Sequence, residues 1–324
     1  METEAVDPGE HPSLRQDRCH DPYLRCALYG AAQTALGVRG GCVLAHSPQG
    51  CYQLVAAAFG WQDADYTVTQ TLCTKLCEDE IVHGGEEVLA RTILEAEKPG
   101  LPVVFVLTSC GPEIVGDDIG AVCDRLRTQV SFRLVPIRCA GFRGDQHHGV
   151  DMALEAIIGN LVPESRADGP TRRSVCPIAP HASANPTWMG DLSLAEAVLA
   201  RLGATVTATL THDTPLGDFL GVPSSEGCLV LSHDAGGKAA DILARRYGTE
   251  TWCSGLPLPM GFTNTRRWLT ELGERLGAEE SARAIIAEGE KLVVETCRRK
   301  GIEQNALLLR CTPKDGVRGF WLRS

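Results

Sequence analysis

The sequence lacks any run of about 18 apolar residues, the minimum for a membrane-crossing helix, so no membrane span is expected. Its opening stretch, METEAVDPGEHPS, is polar and acidic, without the apolar segment of a secretory leader. A basic stripe is also missing. Basic runs are short, among them Arg172-Arg173, Arg245-Arg246 and Arg298-Arg299-Lys300, and the formal net charge is −10. Such a surface repels phosphate backbones, so no nucleic-acid partner is expected. No G-x-G-x-x-G follows the first strand, so no nicotinamide cofactor is expected. Asp234-Ala235-Gly236-Gly237-Lys238 lacks the paired glycines and the Lys-Ser/Thr ending of a phosphate loop, and reads as a glycine turn. Cys73, Cys77 and His83 lack the second close-spaced pair of a structural zinc site, and read as packing or flanking residues. No internal repeat of 20 to 50 residues is visible.

What is present is an ordinary globular chain of 324 residues, 44% hydrophobic and 22% charged, long enough for two domains. It carries 14 cysteines. In a chain of this length without a leader, the cytoplasm is the expected location, and thiols there point to metal or redox chemistry more than to disulfides. Cys42, Cys123, Cys139, Cys228, Cys297 and Cys311 each lie beside apolar residues and read as small buried hydrophobes.

Strand patterns alternate with helix patterns, which predicts α/β architecture: two doubly wound, mainly parallel-sheet Rossmann-like domains. In the first, strands are expected at 41–46, Tyr66 to Gln70, 103–108 and 133–138. Helices follow Cys26, Cys51, Gly84-Gly85, Asp118 and about residue 149. Cys51 is placed at a helix N-terminus, where the dipole favours thiolate. Cys110 falls in a tight loop after the 103–108 strand. The second domain is read as strands at 174–179, 205–210, 228–232 and 250–253 with helices at 192–202, 238–247 and 265–276. His181, Asn185, Trp188 and Gly190 are read on a loop there. The division expected is an arm at 1–18 (with Cys19-His20 just beyond it), a first domain at 19–162, a second at 174–278, and a helix with a short strand tail at 279–324. The helix at 280–300 is expected to pack back on the first domain. Asp118 is expected to cap the following helix, and His147-His148 to form a solvated loop pair.

Five segments in order carry a resemblance. They are C-x3-GA at Cys26, Gly30 and Ala31; H-x-P-x-GC at His46, Pro48, Gly50 and Cys51; E-x2-IVHGGE from Glu78 to Glu86; SC-x5-GDD from Ser109 to Asp118; and GFRG-x4-G from Gly141 to Gly149. Together they resemble the nitrogenase component 1 superfamily, and the GFRG form is more similar to its alpha-type than to its beta-type subunits. That superfamily includes the dinitrogenase subunits, their cofactor-assembly scaffold, the dark-operative protochlorophyllide reductase subunits and the reductive cyclase of coenzyme F430 synthesis. The resemblance implies that Cys26, Cys51 and Cys110 ligate an iron–sulfur cluster, 4Fe-4S or related, at a subunit interface. These cysteines lie 25 and then 59 residues apart, and thiolate ligation of iron is chemically sound. The fourth ligand would come from a partner subunit or from a local group. A homodimer, or a heterodimer with a related subunit, and an ATP-dependent iron–sulfur reductase component are implied as partners. Family members usually add a third α/β domain, and this chain ends where it would begin. Where the dinitrogenase alpha subunit has a cofactor-holding cysteine, this chain has Ser232, beside His233 and Asp234.

Three functions are consistent with these features. One is an oxidoreductase subunit passing electrons from the reductase to a substrate. Another is a scaffold or carrier for metallocluster or tetrapyrrole assembly. The third is a cluster-free binding or regulatory relative. No catalytic residue is singled out.

Overall fold

The computed structural model describes residues 24–61, 68–97, 100–166, 169–179 and 187–300. The N-terminal arm, Cys19-His20, His181, Asn185, Cys311 and the C-terminal tail lie outside the described residues.

In chain order the first part runs α1 (Ala27–Leu36), β1 (Cys42–His46), α2 (Gln49–Trp61), β2 (Gln70–Cys73), α3 (Glu78–His83), α4 (Glu86–Glu95), β3 (Val103–Thr108), α5 (Cys110–Val115), α6 (Ile119–Leu126) and β4 (Arg133–Ile137). A 3-10 turn at Gly141–Arg143 and α7 (Gln146–Leu161) complete it. The second part runs β5 (Thr171–Ile178), α8 (Trp188–Arg201), β6 (Thr205–Val206), a 3-10 helix at Leu216–Ser224, β7 (Ser225–Val230), α9 (Gly237–Tyr247), β8 (Glu250–Thr251), α10 (Gly261–Leu276) and α11 (Glu279–Lys300).

The strands form two parallel sheets of four, ordered β2-β1-β3-β4 and β6-β5-β7-β8. The two orders are the same when β5 is matched to β1, so the chain winds the same way twice. The doubly wound α/β class read from the sequence is the one observed.

The central strands β1 and β3 are buried at every residue, as strands covered on both faces must be. Period-two alternation assigns their side chains to two cores. Val43, Ala45, Val103, Phe105 and Leu107 face a core built with α1, α2 and α7. Cys42, Leu44, Val104 and Val106 face another with Leu89 and Ile93 of α4 and Val122 of α6. The first of these cores continues through Cys176, Ile178 and Cys228 of the second sheet and Ala239 and Leu243 of α9. The second sheet's other face packs Val175 and Leu229 on Trp188, Leu199, Trp268 and Leu272.

Several expectations are corrected. Strand β2 begins at Gln70 rather than ending there, because its register is set by pairing with β1, Cys42 opposite Gln70 and Ala45 opposite Cys73. Cys110 is not in a loop but opens α5. Trp188 and Gly190 lie in α8, and Trp188 is wholly buried. β6 and β8 are only two residues long. Helix α11 packs on α10 rather than on the first sheet. A Cβ on Gly273 would come within 2.7 Å of the Ala282 methyl, and Arg201 pairs with Glu288 at 2.6 Å.

Candidate metal centre

In the first sheet the chain leaves β1 toward β2 and leaves β3 toward β4, so a crevice opens at the carboxyl ends of these adjacent strands. Cys51 lies in the first turn of α2, just past β1, and Cys110 is the first residue of α5, just past β3. Cys26 reaches the same edge by another route. It precedes α1 as its N-cap residue and forms an antiparallel bridge with Asp145, while the Ala27 amide donates to Gly144 O at 3.1 Å.

The turn at Gly141 joins two of these thiols. A Cβ added there would stand 3.2 Å from Cys110 Sγ and 3.7 Å from Cys26 Sγ. The separation of the two sulfurs is therefore bounded by the sum of those distances, and the bare glycine is what leaves them room. Cys51 joins through its electrostatics. Burial pushes its thiol pKa up, and the charges of Cys110, Cys26 and Cys73, in that order, push it further. The direction is thus upward, opposite to the lowering expected from a helix N-terminus alone. All three cysteines are half-buried. Ionising several neighbouring thiols together is costly unless a cationic group offsets their repulsion. This donor set therefore suits a positively charged metal group. Among the described residues, no three His, Cys, Asp or Glu side chains are close enough to hold one metal ion.

Three further thiols are more deeply buried. Burial pushes Cys123 up to about 12 and Cys228 up to about 11, and raises Cys139 as well. Such thiols are inert hydrophobes. Cys73 sits beside the cradle at the end of β2. Its thiol donates to Ser47 O at 3.3 Å, and its sulfur accepts from the Lys75 amide at 3.3 Å.

A buried polar knot holds the edge together. His46, at the end of β1, contacts Asp117 Oδ2 through Nε2 at 2.8 Å and Thr74 Oγ1 through Nδ1 at 3.2 Å. The Gly85 amide donates to both Asp117 oxygens at 3.0 Å. A Cβ on Gly85 would meet His46 Cε1 and Leu76 Cδ2 at 2.9 Å, which is why glycine stands there. One network thus ties together the segments carrying Cys51, Cys73 and Cys110. Asp118 caps α6 as expected, accepting from the Gly120 and Ala121 amides. His147 and His148 are not a loop pair but the first turn of α7, capped by Asp145. Burial raises the Asp145 pKa, but hydrogen bonds from His148 outweigh it and hold the group low.

Sequence reasoning passed over Glu113. It sits one helical turn beyond Cys110, its side chain is 3% exposed, and it pairs with Arg143 at 2.5 Å. The legible signal was a carboxylate at the third position after Cys110 together with the arginine of GFRG. At the second sheet's edge, Ser232 Oγ accepts from the Asp234 amide at 3.1 Å and His233 Nε2 from the Leu258 amide at 3.3 Å. Gly236, at φ 91°, opens α9 and donates to Asp151 Oδ1 at 2.7 Å, so Asp234–Lys238 is a glycine turn.

The chain is similar to known proteins. The family described as nitrogenase component 1 type oxidoreductase matches residues 26–305. The chain is 21% identical over 299 residues to the nitrogenase vanadium-iron protein beta chain of Trichormus variabilis, covering 84% of this chain and 62% of that one. It is 23% identical to the nitrogenase iron-molybdenum cofactor biosynthesis protein NifE of Clostridium pasteurianum, covering 83% and 58%. It is 25% identical to the nitrogenase molybdenum-iron protein alpha chain of Methanothermobacter marburgensis, covering 83% and 59%. The chain thus spans about three-fifths of these curated relatives. The fold matches a solved structure of nitrogenase Cp1 with a TM-score of 0.68 at 19% identity, covering 85% of this chain and 53% of that one. The matched region begins at Cys26, the first cradle thiol, and runs through both sheets, so the chain belongs to the nitrogenase component 1 type oxidoreductase family.

Proposed function

We propose that the chain is a nitrogenase-like oxidoreductase subunit in which Cys26, Cys51 and Cys110 hold an iron–sulfur cluster, 4Fe-4S or related. A second polypeptide, a further copy or a related subunit, closes over the crevice. Electrons pass from an ATP-dependent iron–sulfur reductase component toward a substrate. The observation that carries this reading is the pair of half-buried sulfurs flanking Gly141 beside Cys51. Three thiols with no fourth assigned in the chain call for a partner group or a local one. When bound, such a cluster supplies a redox centre tunable over roughly −700 to +450 mV. The chain's own part is to position the thiols by the His46–Asp117 knot and to keep a shaped, partly dry crevice. The exposed apolar side chains Val82, Ile114 and Phe142 lie on α3, α5 and the 141–143 turn, and support an edge covered by another polypeptide. The division at residues 163–173, separating a cluster-holding unit from a second α/β unit, belongs to the same proposal, as does a cytoplasmic location. Among the described residues no helix is long and apolar enough to cross a membrane.

A second reading, an assembly scaffold or carrier with the same cluster site, is favoured by the second sheet's edge. Ser232, His233 and Asp234 stand there without a cysteine, and the likeness to a cofactor biosynthesis protein agrees. Anaerobic purification with iron and sulfide analysis and EPR tests the shared part. Brown protein with about four irons per dimer is expected. Cys110→Ala is expected to abolish cluster loading and Cys123→Ala to leave it intact; equal iron contents in the two variants would refute the ligand assignment. Colourless, iron-free protein after reconstitution would favour a cluster-free relative. Turnover with a reductase and ATP separates the enzyme from the scaffold.

A further inference from the structure

The proposed function leaves one buried charge without a role. Glu113 is almost wholly enclosed, and a carboxylate is costly to bury unless paired. Its Oε1 accepts from the Thr108 hydroxyl, at the end of β3, and from the Ala140 amide at 3.4 Å. Its Oε2 accepts from Arg143 Nε at 2.5 Å. Every partner belongs to a wall of the thiol cradle. Glu113 shares α5 with Cys110, and Arg143 shares its turn with Gly141, against which the Cys26 and Cys110 sulfurs lie.

We infer, building on the cluster-holding reading, that Glu113 and Arg143 are a positioning pair. They fasten the Gly141 turn against Cys110, and their mutual neutralisation sets the reduction potential of the group held there. The argument is electrostatic. Coulomb energy falls only as the inverse of distance and is weakly screened away from water. Glu113 lies inside this weakly screened region, whereas Arg143 is 39% exposed. Paired, the two present almost no net charge to the cradle. Unpaired, either one biases the uptake of an electron, and with opposite signs. A bare carboxylate disfavours added negative charge, and a bare guanidinium favours it.

The test is an anaerobic redox titration followed by EPR on the reconstituted full chain, with iron content measured for each variant. Arg143→Gln is expected to lower the midpoint potential and Glu113→Gln to raise it. The double variant Glu113→Gln/Arg143→Gln is expected to return toward wild type. Arg143→Lys keeps the charge without the planar fork, and is expected to stay near the wild-type midpoint even where Arg143→Gln folds poorly. Midpoints that coincide across the variants at unchanged iron content would overturn the inference. So would single variants that move in the same direction, as a merely loosened and wetter cradle would make them. If Cys51→Ala retains as much iron as wild type, the cluster-holding reading itself fails. If Cys51→Ala loses the iron while the midpoints stay fixed, only the role of this pair fails.

Discussion

Among the described residues, His46 is the imidazole whose burial shifts it most clearly. Its side chain is fully buried against Asp117, itself 4% exposed. Burial lowers its pKa below the ordinary 6.5, and the hydrogen bond and charge of Asp117, with the charge of Glu86, offset this only in part. The unfolded chain therefore binds a proton at a higher pH than the folded one does. Between the two values the unfolded state holds more protons, so stability falls as pH drops through 6.5 toward the folded value, and is unaffected above it. The urea midpoint is expected to decline from about pH 7.5 to about pH 5.5, and His46→Gln to flatten that slope. Urea titrations at stepped pH check this; matching slopes would place the acid sensitivity elsewhere. The sequence exposed His46 as part of H-x-P-x-GC, but not its partner, because Asp117 lies 71 residues away. Glu113 was passed over for a related reason. Its importance comes from burial and from Arg143, 30 residues on, and neither can be read from local pattern.

At the scale of elements, the crossing of α1 and α7 sets where Cys26 stands. A Cβ on Gly30 would come within 1.9 Å of Gln146 O, and one on Gly149 within 2.0 Å of Ala27 O. Both obstacles are backbone, so relief requires the helices to part. Gly30→Ala is expected to cost at least 1–3 kcal/mol, roughly the price of overpacking. Gly159→Ala, in the same α7 with open space around it, is expected to gain about 0.5–1 kcal/mol. Denaturant midpoints compare the two, and equal shifts would remove the close crossing as the cause. The glycines of C-x3-GA and GFRG-x4-G thus mark one helix contact. The buried strands β1 and β3 were legible because continuous apolar runs between turns leave few alternatives. The edges were not. β2 starts four residues later than expected, and β6 and β8 shrank to two each, because their extent depends on a neighbour's register rather than on their own composition.

For the whole molecule, the decisive feature is what the first sheet's edge leaves uncovered. Val82 is 70% and Ile114 74% exposed, and they lie on α3 and α5, which pack together where a Cβ on Gly111 would come within 2.8 Å of Ile81 Cδ1. On the proposed cluster-holding reading, these large apolar side chains beside the thiols belong to a surface that another chain is expected to cover. If that chain is a second copy, a twofold interface uses the same patch on both sides, so each substitution acts twice. Val82→Glu with Ile114→Glu would then set four carboxylates against one another across the contact. Exposed substitutions of this kind usually change the stability of the free chain by no more than about 0.5 kcal/mol. The double variant is therefore expected to stay folded but to sediment as a monomer at concentrations where wild type sediments as a dimer. Leu292→Glu, at a position 57% exposed on α11, is expected to leave the dimer intact. Sedimentation velocity over a concentration series decides among the cases. A Val82→Glu/Ile114→Glu chain that dimerises as tightly as wild type would take the interface off this edge. A wild-type chain that stays monomeric throughout would leave a related, non-identical subunit as the occupant.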